Sequence, residues 1–214
     1  MLIFQAELLL INKTPIVLIG GGGHCRSCID VIESTNKYII EGIIDLKENI
    51  GKKILGYSVI GDDKDIEKLT KDGFCFHIAI GQIKTADKRI QINNILKQLN
   101  ADQPTIISPL AYLSPHSRTG SGTIVMHHAF INANVLIGEN CIINTKALIE
   151  HDSRIDNFCH ISTSAVLNGN VIIKENVFIG SNATIFPNTT VNSGSIIGAG
   201  KTIQKDVMSG EVIR

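Results

Sequence analysis

An aliphatic side chain returns at every sixth position through the second half of this chain. Val125, Ile131, Ile137, Ile143, Ile149, Ile155, Ile161, Leu167, Ile173, Ile179, Ile185, Val191, Ile197 and Ile203 follow one another without a slip, and the series extends backwards through Thr119, Leu113 and Ile107. Two residues before most of these rungs stands a small or slim side chain: Ala129, Val135, Cys141, Ala147, Ser153, Cys159, Ala165, Val171, Val177 and Ala183. A period of six fits neither an α-helix, which repeats every 3.6 residues, nor the two-residue alternation of an ordinary strand. It fits a hexapeptide β-helix, in which each six residues form one short flat strand and a corner. Three such sides close a triangular coil, so residues 107–206 hold between five and six coils. The aliphatic residue points into the prism and the slim residue fits the tight inner corner. Asn132, Asn134, Gly138, Asn140, Asn144, Asn168 and Gly180 supply corner residues that tolerate left-handed backbone angles.

Residues 15–104 follow a different pattern. "PIVLIGGGGH" reads as a buried strand ending in four glycines, and "CRSCIDVIEST" as a helix with Cys28, Ile29 and Ile32 on one face. "YIIEGIID" gives a second strand, and "GDDKDIEKLTKDG" a helix capped by Asp62 or Asp63, with Gly73 past its end. "FCFHIAIG" gives a third strand and "TADKRIQINNILKQLN" a longer helix. Such alternation predicts a small parallel sheet with crossover helices. The chain therefore divides into an N-terminal extension (residues 1–14), a Rossmann-like α/β domain (15–104) and a β-helix domain (105–214).

Charge and cysteine content narrow the function classes. Twenty basic and twenty acidic side chains cancel, so no strong field favours a nucleic acid or an anionic membrane. No apolar run reaches the length of a membrane span. The opening "MLIFQAELLLINKTP" lacks the positively charged region and small-residue cleavage site of a signal peptide. Five cysteines, an odd number, point to free thiols in a reducing cytosol. Cys25 and Cys28 form a C-x-x-C, read here as two small residues on a helix.

The repeat does not require every residue it carries. In "ALIEHDSRIDNFCHIS", His151 lies two positions past the inward Ile149, so its side chain can point outward. Gly169 lies one full coil further along, exposing a backbone N–H on the same side. His160 directly precedes the inward Ile161 and is either a functional residue or a wall residue. His127 and His128 read as surface or interface residues. In the α/β domain the glycine run departs from the dinucleotide fingerprint, whose third glycine would fall at Cys25, so an NAD site is not expected. Gly21, Gly22 and Gly23 can still present amides to a phosphate at a helix start. Asp45, about 20 residues past Gly23 at the end of the second strand, suits a ribose or base contact.

With "IGGGGH", "GYSVIGDD", "INAN", "INTKALIEHDSRI" and "NVFIGSNATIFPN" in view, nearly the whole chain resembles one group of hexapeptide-repeat acyltransferases. These are the sugar acetyltransferases of the sialic acid O-acetyltransferase, bacillosamine-pathway and GDP-perosamine N-acetyltransferase type. The left hand of the β-helix comes from this resemblance, not from the period. The resemblance implies a cytoplasmic homotrimer with active sites between subunits, acetyl-CoA lying between neighbouring β-helices, and a nucleotide-linked sugar held mainly by the N-terminal domain. The implied acceptor is the 4-amine of a 4-amino-4,6-dideoxy sugar destined for a surface glycan. In these terms His151 matches the general base, Asp152 its partner carboxylate and His160 a second histidine near the acetyl group. Gly169 matches the amide facing the thioester carbonyl, and Gly180 joins the acetyl-CoA contacts. Gly21, Gly22, Gly23, His24, Asp45 and Lys47 match the nucleotide-sugar side. No metal and no acyl-enzyme are expected.

Rival functions leave other marks. O-acetylation of a sialic acid or a related nonulosonic acid would use the same base. A β-helix zinc carbonic anhydrase needs two histidines five residues apart, and no pair among His24, His77, His116, His127, His128, His151 and His160 has that spacing. A non-catalytic scaffold would not need His151, Asp152 and Gly169 in register. Family members commonly carry a Gly-x-Pro-Ala-Lys loop over the coenzyme; "KDVMSGEVIR" lacks it, which leaves the outer coenzyme contacts open.

Overall fold

The computed structural model describes residues 13–214, so the expected N-terminal extension falls almost wholly outside the described residues. These residues form two compact units. One runs through Ile80 and takes in Ile95–Pro104; the other comprises Gly81–Asn94 and Thr105–Arg214.

The first unit contains β1 (Thr14–Ile19), α1 (Gly23–Thr35), β2 (Tyr38–Ile44), β3 (Lys53–Ile54), β4 (Tyr57–Gly61), α2 (Ile66–Lys71) and β5 (Cys75–Ile78). The sheet order is β3-β4-β2-β1-β5. β4, β2, β1 and β5 are parallel, as the strand–helix alternation predicts, but β3 pairs antiparallel with β4. The sheet is therefore mixed rather than parallel throughout. The extra edge strand comes from a tight hairpin turning at Leu55 and Gly56, both at positive φ (47° and 91°), which suits a two-residue loop. Ile16, Val17, Leu18, Ile43, Ile44 and Phe76 are fully buried, with Cys25, Cys28, Ile29 and Ile32 of α1 against them. Asp62 caps the helical segment through a reciprocal box. It accepts from Lys64 N at 2.9 Å, while its own N–H donates to Asp65 at 2.9 Å. Gly73 closes the segment at φ +88°.

The second unit is a left-handed parallel β-helix. Two-residue strands from Ile106–Ile107 to Val212–Ile213 stack into three parallel sheets of six, five and seven strands. Up to Thr184–Ile185 each strand pairs with the one a full coil further on, as Phe130 does with Leu148 and Ile131 with Ile149. Every rung from Val125 to Ile203 is buried, and so is every slim residue two positions before it. Ser153 shows why those corners stay slim: its hydroxyl donates to Asn168 O at 3.0 Å and accepts from Val171 N at 3.2 Å inside the prism. The backward extension of the series weakens at the end of the stack, where Leu113 is half-buried and Ile107 is 38% exposed. Among the described residues no earlier strand stacks on theirs.

The left-handed corners obey the six-residue period more strictly than expected. Gly122, His128, Asn134, Asn140, Lys146, Asp152, Phe158, Ser164, Asn170, Asn176, Asn182, Asn188, Gly194 and Gly200 all have positive φ. Of the corner residues anticipated from sequence, only Asn134 and Asn140 belong to this column. Asn132 and Asn144 instead accept from the next backbone N–H, at 2.7 and 2.8 Å. Gly138 and Gly180 are needed for close approach: a Cβ there would come 2.8 Å from Asn157 N and 2.5 Å from Ala199 N.

Candidate functional site

His151 stands at the centre of a three-by-three array spelled by three successive coils. Asn132-Ala133-Asn134 precedes it, Glu150-His151-Asp152 contains it and Asn168-Gly169-Asn170 follows. Alanine and glycine on either side leave room for the imidazole. A Cβ on Gly169 would come within 2.8 Å of His151 Cε1 and 2.9 Å of Nε2. Each neighbour of His151 is an acid held from the preceding coil. Asn132 Nδ2 donates to Glu150 at 2.7 Å, and Asn134 Nδ2 donates to Asp152 Oδ1 at 2.7 Å.

The other oxygen of Asp152 meets His151 Nδ1 at 2.7 Å. An ionised carboxylate only accepts, so Nδ1 carries a proton, and in the neutral ring the lone pair is on Nε2. Asp152 is held ionised below the usual carboxylate range, first by the Asn134 hydrogen bond and then by His151. The His151 and Asp152 side chains remain 61% and 50% exposed, so the imidazole is open to an incoming group.

His160 occupies a different sheet and a different environment. Its strand, His160–Ile161, pairs with Ile142–Ile143 and Phe178–Ile179, whereas Leu148–Ile149 before His151 belongs to another side of the prism. Within one chain the two histidines therefore lie on separate faces. His160 is 7% exposed and edge-on to Phe178. Its Nδ1 meets the carbonyl of Gln82 at 2.7 Å and must donate. Asn144 accepts from Thr145 N through Oδ1, so it turns Nδ2 towards His160 Nε2, at 3.1 Å. Both ring nitrogens are thus used by a neutral imidazole. Burial pushes its pKa down to about 4, opposed by the Gln82 hydrogen bond. Gln82 belongs to a buried polar network. It bonds Asn176 and Arg89, and Asn93 accepts from Asn140.

The glycine turn of the α/β unit separates into two parts. Gly20 (φ +102°) and Gly21 are packing positions: a Cβ would lie 2.4 Å from Ile80 Cγ1 in the first case and 2.4 Å from Asp45 Oδ2 in the second. Gly22, the N-cap, and Gly23, the first residue of α1, face open space. The helix start has no side-chain cap and no acid in its first turn, an arrangement suited to an anion. Parallel pairing of β1 with β2 brings Asp45 beside Gly21. Its carboxylate accepts from Leu46 N and from Asn49 Nδ2. Lys47 is exposed on the following turn, and His24 is half-buried at the start of α1.

From sequence, Asn134 and Asn144 read only as corner residues, and Gln82 was not singled out at all. Asn134 stands one full coil before Asp152, so the coil period could have flagged it. Asn144 stands slightly less than a coil before His160, out of phase with the repeat. Gln82 lies outside the repeat and could not be found this way. All five cysteines are buried and none forms a disulfide, and burial pushes the Cys25 thiol up to about 11. Ser108 Oγ lies 2.6 Å from His127 Nδ1, while His128 is an exposed corner residue. Among the described residues no group of three or more His, Cys, Asp or Glu side chains is placed to hold a metal ion. No helix among them is long and apolar enough to cross a membrane.

Residues 15–92 match the PglD N-terminal domain family. The structure is similar to a histidine-to-asparagine variant of perosamine N-acetyltransferase from Caulobacter crescentus, solved with CoA and GDP-perosamine. The similarity covers 92% of both chains at 30% identity and a TM-score of 0.87. The acetyltransferase domain of PglB from Neisseria gonorrhoeae aligns over 94% of this chain and 96% of that one, at 31% identity and a TM-score of 0.86. That domain has also been solved with acetyl coenzyme A. An uncharacterized protein of Acanthamoeba polyphaga mimivirus is 32% identical over 123 residues, 58% of this chain; the match spans 23% of that protein's length.

Proposed function

The chain belongs to the hexapeptide-repeat sugar acetyltransferases, and from that premise we propose that it transfers the acetyl group of acetyl-CoA to the 4-amine of a nucleotide-linked 4-amino-4,6-dideoxy sugar. The observation that carries this reading is the His151 geometry: Nδ1 committed to Asp152, Nε2 left for another partner, and the ring lying against Gly169.

The acceptor attacks as the free amine, any ammonium proton having gone to water beforehand, and an imidazole near neutral pH can take the further proton that the bonded nitrogen must lose. As the amine nitrogen bonds to the thioester carbon, its proton passes to His151 Nε2. Asp152 then stabilises the imidazolium. The oxygen of the former carbonyl gains charge, and one backbone donor such as the Gly169 N–H would contribute about 3 kcal/mol there. Collapse breaks the carbon–sulfur bond, and His151 returns the proton to the departing thiolate. Transfer is direct, within a complex of both substrates.

In this reading Gly169, Gly180 and His160 border the acetyl-CoA, which lies between β-helices of a homotrimer. The open amides of Gly22 and Gly23, with Gly21, His24, Asp45 and Lys47, take the nucleotide sugar. The relatives solved with GDP-perosamine and with acetyl coenzyme A support the choice of substrates. The test is CoA release across a panel of 4-amino nucleotide sugars and free sialic acids, for the wild type and His151→Ala. The expected result is turnover on an amino-sugar nucleotide, lost in His151→Ala at unchanged trimer mass. Turnover on free sialic acid alone would point instead to O-acetylation.

A further inference from the structure

The corner column containing Asp152 is a ladder of side-chain amides with one substitution. Asn134, Asp152, Asn170 and Asn188 stand one coil apart, all at positive φ between 56° and 62°. Asn170 Nδ2 donates to Asn188 Oδ1 at 2.9 Å, and Asn134 Nδ2 donates to Asp152 Oδ1 at 2.7 Å. Asparagine is better suited than aspartate to a left-handed corner and would complete the ladder. The corner itself therefore gives no reason for a carboxylate at 152.

We propose that Asn134 is a positioning residue for acetyl transfer, fixing one carboxylate oxygen of Asp152 so that the other is aimed at His151 Nδ1. This deepens the reading of His151 as the base and rests on it. The relay runs Asn134 to Asp152 to His151 across two coils. Without Asn134 the Asp152 carboxylate is anchored at one oxygen only and can rotate away from the ring, which is 61% exposed and has no second anchor on Nδ1. The same hydrogen bond is the largest influence keeping Asp152 ionised. Other titratable groups on this edge are Glu150, held by Asn132, and His116, one coil before Asn134.

Four variants separate this from a merely structural role. Asn134→Gly deletes the donor yet keeps a residue at ease in the left-handed corner. Asn134→Asp puts a second carboxylate against Asp152. Asn188→Gly removes the equivalent ladder bond two coils beyond Asp152, and His151→Gln reports on the base itself. Two readouts apply: steady-state CoA release as a function of pH, and the ring ¹⁵N shifts of His151.

For Asn134→Gly the expected result is a fall in kcat of about tenfold with KM for acetyl-CoA little changed, in line with losing a hydrogen bond to a charged group. Its His151 ring nitrogens should report mixed tautomers, where the wild type reports Nδ1–H. Asn134→Asp should move the acid limb of kcat/KM to higher pH, because paired carboxylates hold a proton longer. Asn188→Gly should turn over like the wild type. Wild-type kcat in Asn134→Gly together with an unmoved acid limb in Asn134→Asp, while His151→Gln is inactive, would overturn the relay alone. An active His151→Gln would sink the base reading. The ¹⁵N shifts then decide the positioning separately: a pure Nδ1–H tautomer in Asn134→Gly rejects it, and a mixture sustains it.

Discussion

At the scale of single residues, the two histidines in the active stretch are made different by what their Nδ1 atoms meet. His151 Nδ1 faces a carboxylate at an exposed corner, and His160 Nδ1 faces a backbone carbonyl in a buried network. The first leaves the ring open at the surface, and the second encloses a ring that resists gaining a proton. Asp152→Asn tests the first. It removes the charge but keeps a residue suited to the left-handed corner, so the fold should survive. Turnover should drop on the order of a hundredfold as the imidazolium loses its partner. Unchanged kcat would remove Asp152 from the mechanism. The second arrangement predicts a stability effect. His160 has a folded pKa of about 4 against an ordinary 6.5. Below pH 6.5 the unfolded chain gains a proton that the folded chain refuses, so stability falls as pH drops from 6.5 towards 4. The loss is at most about 3 kcal/mol. Thermal melts of the wild type and His160→Gln should therefore converge over that window; parallel Tm curves would contradict a buried neutral ring.

At the scale of the coil, glycines serve two unlike purposes, and substitution should separate them. A Cβ on Gly180 meets the backbone of the next coil, which cannot give way without shifting the ladder. Gly180→Ala should cost about 1–3 kcal/mol, the range for overpacking, and lower Tm. The atoms nearest a Cβ on Gly169 all belong to the His151 ring, a side chain that can swing aside. Gly169→Ala should keep its Tm within a few degrees and lose most turnover. Equal Tm losses in both variants would mean that Gly169 is a packing residue like Gly180. The coil was the most legible element in the sequence, because an inward aliphatic every six residues and a slim corner two before it leave one register. The corner angles were harder to read. Composition pointed to Asn132, Asn144 and Asn168, but the left-handed position lies three residues before each rung and admits Lys146, Phe158 and Ser164. The phase of the coil decides the angle there, and residue preference follows only in part. The β3–β4 hairpin went unread in the α/β unit because its strands are short and its turn uses Leu55-Gly56 rather than a strong turn pair.

At the scale of the whole molecule, the candidate site was legible where it follows the coil period and illegible where it depends on distant segments. His151 and Asp152 share one corner and Gly169 lies a coil beyond, so their juxtaposition follows from the register alone. Asn134 obeys the same period but looked like one more corner asparagine until its hydrogen bond to Asp152 was seen. The bond from His160 to Gln82 joins residues 78 positions apart, and no repeat encodes it. The proposed division of labour, acetyl transfer on the β-helix and sugar recognition in the α/β unit, makes His151 the residue on which the account turns. The most direct measurement is single-turnover acetyl transfer by His151→Ala, with an accepted 4-amino nucleotide sugar and acetyl-CoA both saturating and the variant's trimer mass checked in the same sample. The account predicts a transfer rate at least about a hundredfold below the wild type; transfer at the wild-type rate would contradict it.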